Sequence, residues 1–213
     1  ILFTVRNQDG TAPWSVVEDV TFTNNIVRHS AAGIMFIGRD NLHPSQQIKR
    51  VMISNNLFDD IGAKQWGNNG RWIQITETVD VKIDHNTAFQ TGNLITAHGV
   101  PNQEFVFTNN IVPHNEFGII GDGTATGNTT LDRYFVDFSL KKNVIVGAQS
   151  SRYPKKNFYP PTLDDVGFVD KPHGNYRLAA SSQFKHAGTK DKDVGANIDE
   201  IERAMGRVVE GLP

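Results

Sequence analysis

The 213-residue chain contains no cysteine, so neither a disulfide framework nor a thiolate metal site belongs to its design. No apolar run approaches the length of a membrane-crossing helix, and no basic run stands out in a chain of formal charge −2. A nucleic-acid backbone or an anionic membrane is therefore not expected as the main partner. Helical periodicity is scarce. Hydrophobic residues make up 38%, low for a compact α/β enzyme, while 19 glycines and many Asn and Thr residues favour strands and turns. Nor is there a dense acidic cluster. Asp59-Asp60, Asp164-Asp165, and Asp191 with Asp193 stand at expected turns, where solvated or capping roles are the ordinary ones. No metal or other cofactor is expected.

Repetition is what the chain does have. Five segments align: Val20 to Val27, Val51 to Phe58, Val81 to Ala88, Phe105 to Val112 and Phe138 to Ile145. Each opens on alternating apolar residues, such as Val51/Ile53 or Phe105/Phe107, and reaches an Asn at its sixth position: Asn25, Asn56, Asn86, Asn110 and Asn143. The steps between these Asn residues are 31, 30, 24 and 33, so strands of fixed length are separated by loops of variable length. A second family of apolar segments begins at Ile1, Ile34, Ile73, Leu94 and Ile119, giving at least two strands per repeat.

Parallel strands normally need a helical crossover, and none is visible between these segments. The expectation is an all-β chain wound as a right-handed parallel β-helix of about five to six coils, each stacked on the last at the strand spacing. The repeated Asn should form an internal ladder of hydrogen-bonded amides and supply the left-handed backbone of a sharp bend. Coils are expected over residues 1–147. Residues 148–213 should form an extended segment packed on the same domain, crossing the surface between Ser150 and Pro161. Ile198, Ile201, Ala204, Met205 and Val208 have helical spacing, so a short terminal helix should cover the last turns.

The doubled Asn after an alternating strand resembles the right-handed parallel β-helix superfamily that includes pectate lyases and related polysaccharide-active proteins, over roughly residues 1 to 147. The tail segments Val166-Gly167-Phe168-Val169-Asp170 and Gly174-Asn175-Tyr176-Arg177-Leu178 resemble the closing part of many secreted bacterial members. The resemblance implies a secreted or cell-surface bacterial protein with a polysaccharide or other glycan as partner. It is compatible with a lyase, a glycoside hydrolase or a non-catalytic module for adhesion or assembly. The open first coil is expected to be covered by a further coil of a longer gene product or by a partner.

Stacking the first strands with Ile73 beside Leu94 makes Glu77 and His98 neighbours, with Asp122 one position off on the next coil. A carboxylate beside an imidazole is an acid/base pair in form, which makes these three the catalytic candidates. Arg6 and Arg39 fall along the same edge, where they would hold anionic sugar groups. Trp72 is the third substrate-binding candidate, as a stacking platform; Trp14 and Trp66 share that chemistry, although an aromatic beside a long loop, as all three are, more often packs that loop down. The same polar residues would also serve as the solvated rim of strand ends. The same register turns Leu2, Met35, Ile37, Ile95, Ala97 and Ile120 outward, an apolar face that loops or another chain should cover.

Overall fold

The computed structural model describes residues 1–67 and 69–209, the side chains of residues 207–209 excepted. The chain visits three parallel sheets in a fixed order, five times over. In the second circuit, Ile34–Ile37 lies in the first sheet, Lys49–Ser54 in the second and Leu57–Ile61 in the third. The third circuit repeats this with Ile73–Thr76, Val79–Asp84 and Thr87–Gln90, in register with the second. Each sheet therefore holds one strand per circuit, except that the second-sheet strand is broken in two in the fourth and fifth circuits.

Alternation in the sequence becomes columns in space. Phe22, Ile53, Ile83, Phe107 and Leu140 stack down the inner face of the second sheet. Val27, Phe58, Ala88, Val112 and Ile145 occupy the inner face of the third sheet and join the same core. A fully buried Val, Ile or Phe side chain contributes about 1.5–3 kcal/mol, so a column of such residues is a principal source of cohesion between circuits.

The Asn ladder forms. Asn25, Asn56, Asn86 and Asn110 each donate a backbone N–H to the Oδ1 of the next ladder Asn, at 2.9, 3.0, 2.9 and 3.0 Å. Their side-chain amides donate to the same oxygens at 2.9–3.0 Å. A sixth rung follows, because Asn143 donates to Asn157 at 3.0 Å, inside the stretch expected to be only a surface crossing. The sharp bend falls elsewhere than expected. The left-handed residues are the ones just before the ladder, Asn24, Asn55, His85, Asn109 and Lys142, with φ between 51 and 60°. The bend and the ladder thus divide two jobs between two adjacent residues.

The structure departs from the expected pattern, or adds to it, in four places. Ile73 pairs with Ile95, not Leu94, so Ile95 and Ala97 are fully buried and Thr96 and His98 take the outward positions. A one-residue change of register exchanges the two faces of a strand. A short helix, Asn128–Tyr134, occupies part of the loop after Gly123 and inserts Leu131 and Tyr134 into the core. The tail contains an antiparallel pair, Phe168–Asp170 with Asn175–Leu178. The terminal helix, Ile198–Val209, packs Ile198 and Ile201 beside Leu57 and Tyr176, so it covers the second circuit and not the last. Val208 has its side chain outside the described residues.

The tail covers the outer face of the third sheet. That face carries the apolar column Ile26, Leu57, Ile111 and Val144, interrupted by Thr87, whose hydroxyl accepts the Ala196 N–H at 3.0 Å. Val166, Phe184 and Val194 pack over Ile111 and Val144. Where the tail packs, the third sheet is buried on both faces, and its inward and outward columns are mainly apolar there. No helix among the described residues is long and apolar enough to cross a membrane.

Candidate functional site

The rim after the first sheet is built from strand ends. His98 and Asp122 follow the paired residues Ala97 and Gly121, so they continue one outward row with Thr76. Glu77 lies one residue beyond that row in a left-handed conformation, φ 56°, which turns it out of the strand. Its carboxylate is engaged by the Arg39 guanidinium, Nε to Oε1 at 3.1 Å. Arg39 also donates to the Ser45 carbonyl at 3.1 Å and to Gln47 at 3.0 Å, while Gln47 donates to the Glu77 carbonyl at 2.9 Å. Arg39 and Glu77 therefore fasten the loop of residues 39–47 onto the next circuit. Among the described residues, no hydrogen bond or ion pair joins Glu77, His98 and Asp122. Asp122 is exposed, and the buried Nδ1 of His98 has no partner.

Arg6 is exposed and donates to Asn41 at 3.2 Å. Trp72 is 0% exposed, edge-on to Phe58 and Phe107 at centroid distances of 5.5 and 5.8 Å. No face of its ring is open to a sugar, which removes it as a stacking platform. Trp66 donates to Asp60 at 2.6 Å and tilts over His29, packing its loop down. Trp14 stands 70% exposed on the first loop.

A concavity lies at a different corner, the bend between the second and third sheets. A groove of about 640 Å³ runs there, between the strand ends and the tail. One wall repeats with the circuits: Thr23, Ser54 and Asp84 are in register, and Asn24, Asn55 and His85 follow them. Tail residues between Lys185 and Glu200 supply most of the other wall. The tail is fixed in place by hydrogen bonds to the bend: Asn197 N–H to Asn55 at 2.6 Å, Thr189 N–H to Asn109 at 2.9 Å and Gly195 N–H to the Asn109 carbonyl at 2.7 Å. The left-handed bend residues thus both turn the chain and hold the tail.

Asp84 is the most constrained group of this wall. Burial pushes its carboxyl up, but hydrogen bonds from His85 at 2.8 Å, Thr108 at 2.6 Å and Asn109 at 2.7 Å outweigh that and hold it below the usual carboxylate range. His85 faces this carboxylate through Nδ1, and its buried Nε2 has no partner. On the tail side, Lys185 pairs with Asp193 and Arg177 with Asp199, both at 2.8 Å. Among the described residues, no three His, Cys, Asp or Glu side chains converge as metal ligands.

Parts of this corner are visible in the sequence, but the groove is not. His85 stands out as a replacement for the first Asn of a pair, and Asp191 with Asp193 as a turn pair. What brings them together is the docking of the tail some 80 to 145 residues away in sequence, which no local pattern encodes. Compared with protein-family models, curated proteins and solved structures, the chain matches none.

Proposed function

We propose that the chain is a right-handed parallel β-helix that binds a glycan in the groove between its second-to-third-sheet bend and its tail. The winding is supported by five circuits through three in-register parallel sheets, and right-handed connection of parallel strands is the general rule. The observation that carries the binding site is the repeating wall. Thr23, Ser54 and Asp84 present hydroxyl, hydroxyl and carboxylate at successive strand spacings of about 4.8 Å, a ladder of hydrogen-bond partners suited to a chain of hydroxyl-rich units. Its volume lies within the range of about 300–1,000 Å³ common for ligand sites.

Binding, and not lyase or hydrolase chemistry, is the reading supported here. Glu77, the acid/base candidate of the rim, is committed to Arg39, and Arg39 to its own loop. The test is an array of neutral, amino and acidic oligosaccharides probed with the wild type and with Ser54→Trp, which fills the groove from its repeating wall. The wild type should be retained by one glycan class, and the variant should lose at least about tenfold in affinity with unchanged thermal unfolding. Retention of no glycan, or equal retention of both proteins, would overturn the proposal.

A second reading, a module that assembles with another chain, is favoured by Leu2, 69% exposed on the outer face of the first sheet and in register with Met35. Sedimentation over a range of concentrations tests it. A monomer throughout would remove self-assembly from consideration.

A further inference from the structure

Two Lys-Lys-Asn triplets, Lys141-Lys142-Asn143 and Lys155-Lys156-Asn157, are separated by 14 residues in sequence and stacked in space. The Asn143 N–H donates to Asn157 Oδ1 at 3.0 Å, and the Lys142 N–H to the Lys156 carbonyl at 2.6 Å. Lys141 continues the column of Asp84 and Thr108. Thr189 is bonded to Asn109, one circuit before Lys142 in the same column of left-handed residues, which brings Lys190 toward this corner. Lys141, Lys155, Lys156 and Lys190 are exposed and Lys142 is half-buried.

Among the described residues, none of these five lysines makes an ion pair; Lys49, Lys82 and Lys185 are the lysines that do. Like charges on neighbouring strands repel at a spacing of about 4.8 Å, and among the described residues no carboxylate forms an ion pair with them. In a chain of net charge −2 this concentration of unneutralised cations is local. It also lies where the fold needs no charge, since the ladder is completed by the adjacent Asn143 and Asn157.

We propose that this corner binds a polysaccharide bearing sulfate or phosphate esters. The five groups are all ammonium. An ammonium is a compact point charge suited to a tetrahedral oxyanion, whereas a planar carboxylate is best met by the fork of an arginine. Single-stranded nucleic acid would call for aromatic faces on which bases stack, and Lys142 Nζ covers the neighbouring Phe158 ring at 5.7 Å. The site adjoins the groove, but none of the five lysines lines the groove and the proposal does not rest on it.

The test is calorimetric titration of the wild type with dextran sulfate, phosphorylated dextran, unmodified dextran, polygalacturonate and a DNA duplex. Lys155→Glu/Lys156→Glu and Ser54→Trp are titrated in parallel. One or both esterified dextrans should bind, with affinity falling steeply as salt is raised, and unmodified dextran should not. The lysine variant should bind at least about tenfold more weakly, and Ser54→Trp as the wild type does. The stronger of the two esters identifies the anion. Equal binding by the lysine variant overturns the site, and polygalacturonate or DNA bound as tightly as either ester overturns the ligand class. Failure of every polymer to bind overturns both.

Discussion

Replacing Asn86 with leucine measures what the ladder contributes. The Asn86 side chain is fully buried, and its amide donates to the carbonyls of Ile53 and Asp84 and to Asn110 Oδ1 at 3.0–3.1 Å. Its Oδ1 accepts the Asn56 backbone N–H at 3.0 Å and the Asn56 amide at 2.9 Å. In Asn86→Leu the new side chain matches the old in branching and heavy-atom count but leaves the Asn56 N–H orphaned in the interior. Such an orphan costs about 1–3 kcal/mol, and the carbonyls that lose a donor add about 1 kcal/mol, for a total near ~3 kcal/mol. In a chain of this size that lowers Tm by about 6–12 °C. Asn25→Leu is the internal control. Among the described residues Asn25 Oδ1 accepts nothing, so its loss orphans no N–H and should cost about 1 kcal/mol. Thr21→Ser, on the exposed face, should leave unfolding unchanged. Thermal unfolding followed by circular dichroism compares the three. Equal shifts for Asn25→Leu and Asn86→Leu would refute the ladder as a chain of donors handed from one circuit to the next.

Trp72→Ala should destabilise by about 3–5 kcal/mol through the cavity it leaves between Phe58 and Phe107, and the fraction that still folds should bind glycan as the wild type does; a selective loss of binding would restore Trp72 to the site. Asp84 has a folded pKa below its unfolded value, so its stabilisation is present above the unfolded value and is lost as pH falls through the depressed one. Asp84→Asn should therefore flatten the acid limb of a stability-against-pH curve, and parallel curves for the two proteins would contradict this. At Gly38 an added Cβ would overlap the Glu77 carbonyl oxygen, so Gly38→Ala should force the second and third circuits apart and lower Tm, and an unchanged Tm would show that the circuits can separate freely there.

Much of the circuit structure is legible in the sequence because strand alternation and the ladder Asn are local signals repeated five times. Repetition alone leaves register open, however. Leu94 and Ile95 are adjacent apolar residues, and either satisfies the pattern opposite Ile73; only the packing of both into the core fixes which one pairs. The sixth rung is hidden by its short spacing, although Lys-Lys-Asn occurs at both Asn143 and Asn157 and could have revealed it. The third sheet is hard to separate from the second because one left-handed residue joins them, leaving no gap in the apolar pattern. Site residues are the least legible. Glu77, His98 and Asp122 sit at strand ends on one edge, but the register aligns His98 with Asp122 and Thr76 and leaves Glu77 one residue beyond, and whether side chains meet there depends on a left-handed turn at Glu77 and on Arg39. The groove depends on the docking of the tail.

A glycan held at the bend between the second and third sheets would be located residue by residue by NMR. Amide shifts of a uniformly 15N-labelled protein would be followed during titration with the oligosaccharide that the array selects. The largest shifts should fall on Thr23, Ser54, Asn55, His85 and the tail near Asn197, with Thr76, His98 and Asp122 unmoved. Shifts confined to His98, Asp122 and Glu77 would place the site at the rim of the first sheet and contradict this.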